Sequence, residues 1–189
     1  MKKYITIFVL VLSSLFGAQC TITDDDYYSR NNVELIIEDA LKIEDNENYT
    51  VGDVLYFELN FSRYLPEEGE TTLLDVYETS GANQFYYDFS FFKFSTLSED
   101  YQWLPINEKF IVAEKGALED SNQVSVIFNE ETNMYESKIG IILAEEGEYQ
   151  IDFNSLYLYG NNDPEKPTVQ IENISTNDTP LLLEFTVSN

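Results

Sequence analysis

The sequence holds no histidine, one cysteine, one tryptophan and five prolines, and sets only 10 basic residues against 35 acidic ones. Each shortage removes a class of chemistry. Without histidine there is no Ser-His-Asp triad, no Cys-His dyad and no His-ligated zinc, and a single cysteine cannot hold an iron–sulfur cluster. A formal charge of −25 repels a polyanion, so nucleic-acid binding by phosphate neutralisation is disfavoured. One thiol allows no internal disulfide, so the fold has to be held by its core alone. What is present suffices for that: 189 residues, 43% of them hydrophobic and 15% aromatic, suit one domain with a sizeable interior.

Long apolar runs are also scarce, with one exception at the amino terminus. Lys2 and Lys3 form a short basic segment, Tyr4 to Phe16 is almost wholly apolar, and Gly17 and Ala18 are small. A run of about 13 residues has the length of a signal-peptide core and is too short to span a bilayer. Residues 1–19 are therefore expected to be an export signal, and its removal takes two lysines and no acid from the chain. Two cleavage routes stay open. Ordinary cleavage after Ala18 would put bulky Phe16 at the third position upstream, where small residues are preferred. Alternatively, Cys20 directly after the apolar run resembles a bacterial lipobox, in which the thiol is acylated and becomes the first mature residue; Gln19 stands where that pattern usually has Gly, Ala or Ser. The following Thr21-Ile22-Thr23-Asp24-Asp25-Asp26 resembles the acidic run behind the lipid cysteine of surface-exposed lipoproteins of the Bacteroidota. The resemblance implies a lipid anchor at Cys20 in the outer membrane and display at the cell surface; the other route implies a secreted or periplasmic protein. Residues 20–32 lack an apolar period and read as an acidic, flexible tether of roughly 40 Å at full extension.

From Val33 to the end the hydrophobic period is two. Leu55, Phe57, Leu59 and Phe61 share one face, with Glu58, Asn60 and Ser62 on the other. Phe85, Tyr87, Phe89 and Phe91 repeat the pattern, as do Val124, Val126 and Phe128, then Tyr135 to Leu143, then Tyr149, Ile151 and Phe153, and finally Leu181 to Val187. Turn residues punctuate these stripes, among them Gly52-Asp53, Pro66 to Gly69, Ser80-Gly81, Glu145 to Gly147 and Gly160 to Pro167. The segment Glu34 to Lys42 could be drawn as a helix, but Val33, Ile36, Ile37 and Ile43 are β-branched and favour a strand. Residues 70–84 stay ambiguous. The pattern predicts an all-β fold: a single antiparallel β-sandwich over residues 33–189. Glu145 to Phe153, an acidic-glycine turn leading into an alternating strand, resembles a late strand of immunoglobulin-like bacterial surface domains, and Thr50 to Asp53 before the Val54 strand looks similar. That resemblance implies an immunoglobulin-like sandwich. Near Tyr149 there is no cysteine of the kind that accompanies a tyrosine corner.

Three chemistries remain for the polar residues. Acid-pair glycoside hydrolysis needs two carboxyls roughly 5–9.5 Å apart. Glu58, Asp88 and Asp152 lie on polar strand faces, but nothing selects a pair, and a solvated face is the simpler reading, so no catalytic residue is assigned. Calcium wants six to eight hard oxygens. Asp45, Glu47 and Asp53 in one loop and Asn161 and Asp163 in another offer them without EF-hand spacing, and Asn and Asp also fill turns for backbone reasons. Sugar stacking wants flat, exposed aromatics. Tyr56, Tyr86, Tyr157 and Tyr159 fall on the polar phase, and Trp103 lies in Tyr101 to Pro105, which reads as an edge strand or loop; tyrosine also suits a half-wet sheet face for packing reasons alone. Phe91, Phe92 and Phe94 place aromatics on both faces of one strand, which means either a strand buried on both sides or a contact patch. The whole points to an exported surface module that binds or supports a partner, with glycan capture as the alternative and glycoside hydrolysis third.

Overall fold

The computed structural model describes residues 32–44, 46, 48–153, 156–160, 163, 165–176 and 181–189. All of them belong to the compact unit Asn31–Asn189. The leader, Cys20 and the tether up to residue 31 lie outside the described residues.

The alternating stripes become strands of a two-sheet sandwich. The larger sheet has ten strands. Its path runs β1 (Val33–Glu38), β16 (Val169–Ile174), β15 (Leu156–Gly160), β7 (Gln84–Asp88), β12 (Gln123–Asn129), β13 (Met134–Ile142), β4 (Val54–Ser62) and β2 (Leu41–Ile43). Two short strands sit off this path: β10 (Ile111–Lys115) on β13 and β11 (Ala117–Leu118) on β12. The smaller sheet runs β3 (Tyr49–Thr50), β17 (Leu182–Ser188), β14 (Gly147–Asp152), β8 (Ser90–Ser95) and β9 (Asp100–Trp103). A hairpin of β5 (Tyr64–Pro66) and β6 (Leu73–Asp75) completes the strands.

Three short connections shape the sandwich. β1 and β2 lie at opposite ends of the large sheet's path but only Asp39 and Ala40 separate them in sequence, so the sheet curls until its ends approach. The step would orphan a backbone donor, and the Asn173 carboxamide, itself only 3% exposed, accepts from the Ala40 N–H at 2.8 Å. β7 continues into β8 through Phe89 alone, and β14 and β15 are only three residues apart in sequence, so each of these two strand pairs places one member in each sheet. The Phe89 and Phe153 rings fill those two corners. They lie 5.9 Å apart, and Phe57 of β4 touches both at 5.1 and 5.2 Å. All three rings are buried.

The segment 33–43 is strand, as its β-branched residues favour. The ambiguous segment 70–84 holds β6 and a single-turn helix, α1 (Val76–Ser80), capped by the Asp75 carboxylate accepting from Glu78 N–H and ended by Gly81 at φ 66°. The antiparallel expectation fails at two edges, where β1 pairs with β16 and β3 with β17 in parallel. Each of these strands is remote in sequence from its partner, so no hairpin imposes the antiparallel sense.

Candidate functional site

The outer face of the large sheet gathers three of the tyrosines. Across β15 and β7, Tyr159 stands opposite Tyr86, with ring centroids 6.1 Å apart and planes inclined by 34°. Amides fix the hydroxyls. Gln123 Nε2 donates to Tyr159 Oη at 2.6 Å and reaches Asp88 Oδ1 at 3.3 Å, while Gln84 Nε2 donates to Tyr86 Oη. Tyr157 lies two residues before Tyr159 on the same face, and both are 41% exposed. On the neighbouring β16, Glu172 faces Tyr157 and Gln170 faces Tyr159. A cleft of about 310 Å³ opens beside Tyr157, lined also by Glu34, Ile36, Glu68, Gln170 and Glu172. The Glu172 carboxylate, then burial and Glu34, push the Tyr157 hydroxyl above the usual phenol range. Partial burial, followed by the Asp88 charge, does the same for Tyr159. The result is a group of three rings, two of them held at a set tilt, flanked by amides that both donate and accept.

Trp103 is not part of this group. It sits on the edge strand of the smaller sheet, 52% exposed, directly opposite Phe92. Tyr101 stands opposite Phe94, and their rings meet edge-on at 5.5 Å. Gln150 of β14 lies on the other side of Phe92, and Glu184 of β17 beyond it. Phe91 turns into the core while Phe92 and Phe94 stay half-exposed outside beside the rings of β9, so the strand is not buried on both sides. Lys93, between them, points inward and binds Glu145 at 2.6 Å.

The other tyrosine on the polar phase is structural. Tyr56 lies across Gly140, its ring 2.7 Å from where a Cβ would stand, with Lys138 Nζ 4.9 Å from the ring centroid. That lysine is held by Glu44 at 3.2 Å and Glu114 at 3.3 Å.

The three carboxylates considered for acid–base work are not brought together. Glu58 on β4 and Asp88 on β7 are separated by β13 and β12, three strand spacings or about 14 Å, and Asp152 lies on the other sheet. Asp53 is engaged within its own turn, its Oδ2 accepting from Thr50 N–H at 2.7 Å and Thr50 Oγ1 at 2.9 Å. These bonds, the backbone one first, hold its carboxyl below the usual range. Asp163 accepts from Glu165 N–H at 3.0 Å. Asp45, Glu47 and Asn161 lie outside the described residues. Among the described residues no three acidic, histidine or cysteine side chains gather as a metal centre would require, and no helix is long and apolar enough to cross a membrane.

Gln84, Gln123 and Gln170 were not singled out from the sequence, nor were Tyr101 and Glu184. Their strand phase was readable; their neighbours were not, because β7 and β12 are far in the chain from each other and from the β15–β16 pair.

No family model matches the chain, and no curated protein does. Among solved structures, the ASH/PapD-like domain 7 of human CEP192 aligns at a TM-score of 0.29 with 9% identity, covering 73% of this chain and 87% of that one. The group B streptococcus pilus 2b backbone protein aligns at 0.25 with 9% identity, covering 79% of this chain and 57% of that one. Likenesses this slight carry nothing about ligand or partner.

Proposed function

We propose that this chain is an exported, lipid-anchored module of a bacterial outer-membrane surface that captures a neutral glycan on the tyrosine–glutamine face of its sandwich. The observation that carries the reading is the convergence of Tyr86, Tyr157 and Tyr159 on one solvent-facing surface flanked by Gln84, Gln123 and Gln170. A pyranose presents a C–H face to a flat ring and hydroxyls to the side. Fixed rings and dual-function amides suit both. The overall negative charge turns away anionic sugars. The lipobox-like Cys20 and the acidic run behind it support the location, and that segment would hold the domain clear of the membrane. We read the function as capture rather than turnover; of the carboxylates considered for hydrolysis, Glu58, Asp88 and Asp152 are not brought together.

A glycan array probed with the processed protein tests the ligand: neutral oligosaccharides should be retained, and Tyr157→Ala/Tyr159→Ala should abolish retention. Binding that survives the double change rejects the site. Labelling cells with a palmitate analogue tests the anchor; wild type should carry label and Cys20→Ser should not.

A further inference from the structure

The smaller sheet carries a second surface of different chemistry. Trp103, Phe92, Tyr101 and Phe94 form a two-by-two block of rings on adjacent strands at the sheet's free edge. Beside it stand acids: Glu184 one strand beyond Gln150, and Glu148 two residues before Gln150 on the same face. Both carboxylates bear on the block, because after partial burial they are what raises the Tyr101 hydroxyl. Among the described residues no lysine or arginine pairs with Glu148 or Glu184; Arg63, Lys93, Lys115 and Lys138 are committed elsewhere. Self-association would bring two copies of a chain at −25 face to face, like charge on like. Strand addition at the β9 edge is blunted, since Asp100 Oδ1 already takes the Tyr101 N–H at 2.8 Å. The available contact is through side chains.

We infer that this face docks an arginine-bearing segment of a basic protein partner. A guanidinium is flat, stays charged, stacks on Trp and Tyr faces and pairs with a carboxylate through two parallel hydrogen bonds; an ammonium does the last two poorly. Rings for stacking and two uncompensated carboxylates side by side match that group, and the aromatic block supplies the apolar centre of an interface. The inference is independent of the glycan reading, which uses the opposite sheet.

Trp103 is the chain's one tryptophan, so its emission reports on this face alone. The processed protein is titrated with capped nona-arginine, capped nona-lysine and cellohexaose. Nona-arginine should change Trp103 emission saturably, nona-lysine should bind more weakly, and added salt should weaken both. Glu148→Gln/Glu184→Gln should weaken nona-arginine about tenfold, the equivalent of 1.4 kcal/mol. Glu34→Gln/Glu172→Gln, which removes the same charge from the other sheet, should change it less than about twofold. No emission change with nona-arginine overturns the inference. Equal weakening by both double variants also overturns it, because the attraction then belongs to the whole charge and not the face. A response to cellohexaose alone overturns it in favour of a sugar.

Discussion

Phe57→Ala should be among the most damaging single changes in this protein. The Phe57 side chain is fully buried and its ring touches both corner rings, Phe89 at 5.1 Å and Phe153 at 5.2 Å. Truncation removes the transfer energy of a phenyl group and leaves a cavity where two long strands pass from one sheet to the other. Those strands are pinned in place by two pairings and cannot collapse inward without breaking them. Phenylalanine-to-alanine changes in cores cost about 3–5 kcal/mol, and the constrained corner argues for about 4. With a urea slope of about 2 kcal/mol/M, the midpoint should fall by about 2 M. Phe92→Ala, on the outer face of the smaller sheet, should move it by less than about 0.5 M, since the ring is only half-covered. The assay is urea unfolding followed by far-ultraviolet circular dichroism. Equal shifts for the two variants would refute the reasoning, because the corner would then hold no more energy than an exposed ring.

Other outcomes follow from single contacts. Asn173→Ala leaves the Ala40 N–H without its acceptor at the step between β1 and β2, and should cost about 1–3 kcal/mol in the same unfolding assay. Arg63 grips Asp75 through Nε at 2.8 Å and Nη2 at 2.6 Å, and this pairing, foremost, holds the Asp75 carboxyl below its ordinary 3.8. The contribution is therefore present above pH 3.8 and fades as pH falls through the lower folded value, so a wild-type stability titration should show a larger acid-side loss than Arg63→Met does. Both Thr50 bonds fall on Asp53 Oδ2 and leave only Oδ1 for a ligand role, so millimolar calcium should raise the melting temperature no more than sodium chloride of matched ionic strength; a calcium-specific rise would assign the acidic loops as a site.

The class of fold was legible because burial follows strand phase. Leu55, Phe57, Leu59 and Phe61 alternate with half-exposed neighbours along β4 as the period of two requires. The sheet switch was not legible, for a physical reason. Phe85, Tyr87, Phe89 and Phe91 stay in phase through the corner because the core lies between both sheets, so a strand that bends around it keeps the same face inward. Only the hydrogen-bond partners change: the Phe89 N–H still reaches Asn122 O beside β12, while Ser90 pairs with Asp152 of β14, and the sequence carries no mark of that. The closing of the large sheet rests likewise on Asn173, 133 residues from its partner Ala40. For the binding faces, exposure of Tyr157, Tyr159 and Trp103 could be read from phase. Which of them stand together could not, since strand order decides it: Tyr86 and Tyr159 meet across β7 and β15, and Trp103 lies on the other sheet.

Isothermal titration of the processed protein with the best neutral oligosaccharide from the array is the most direct test of glycan capture. The account predicts measurable one-site binding that Tyr157→Ala/Tyr159→Ala abolishes and Trp103→Ala leaves within about twofold. Binding lost with Trp103 and kept without the two tyrosines would contradict it.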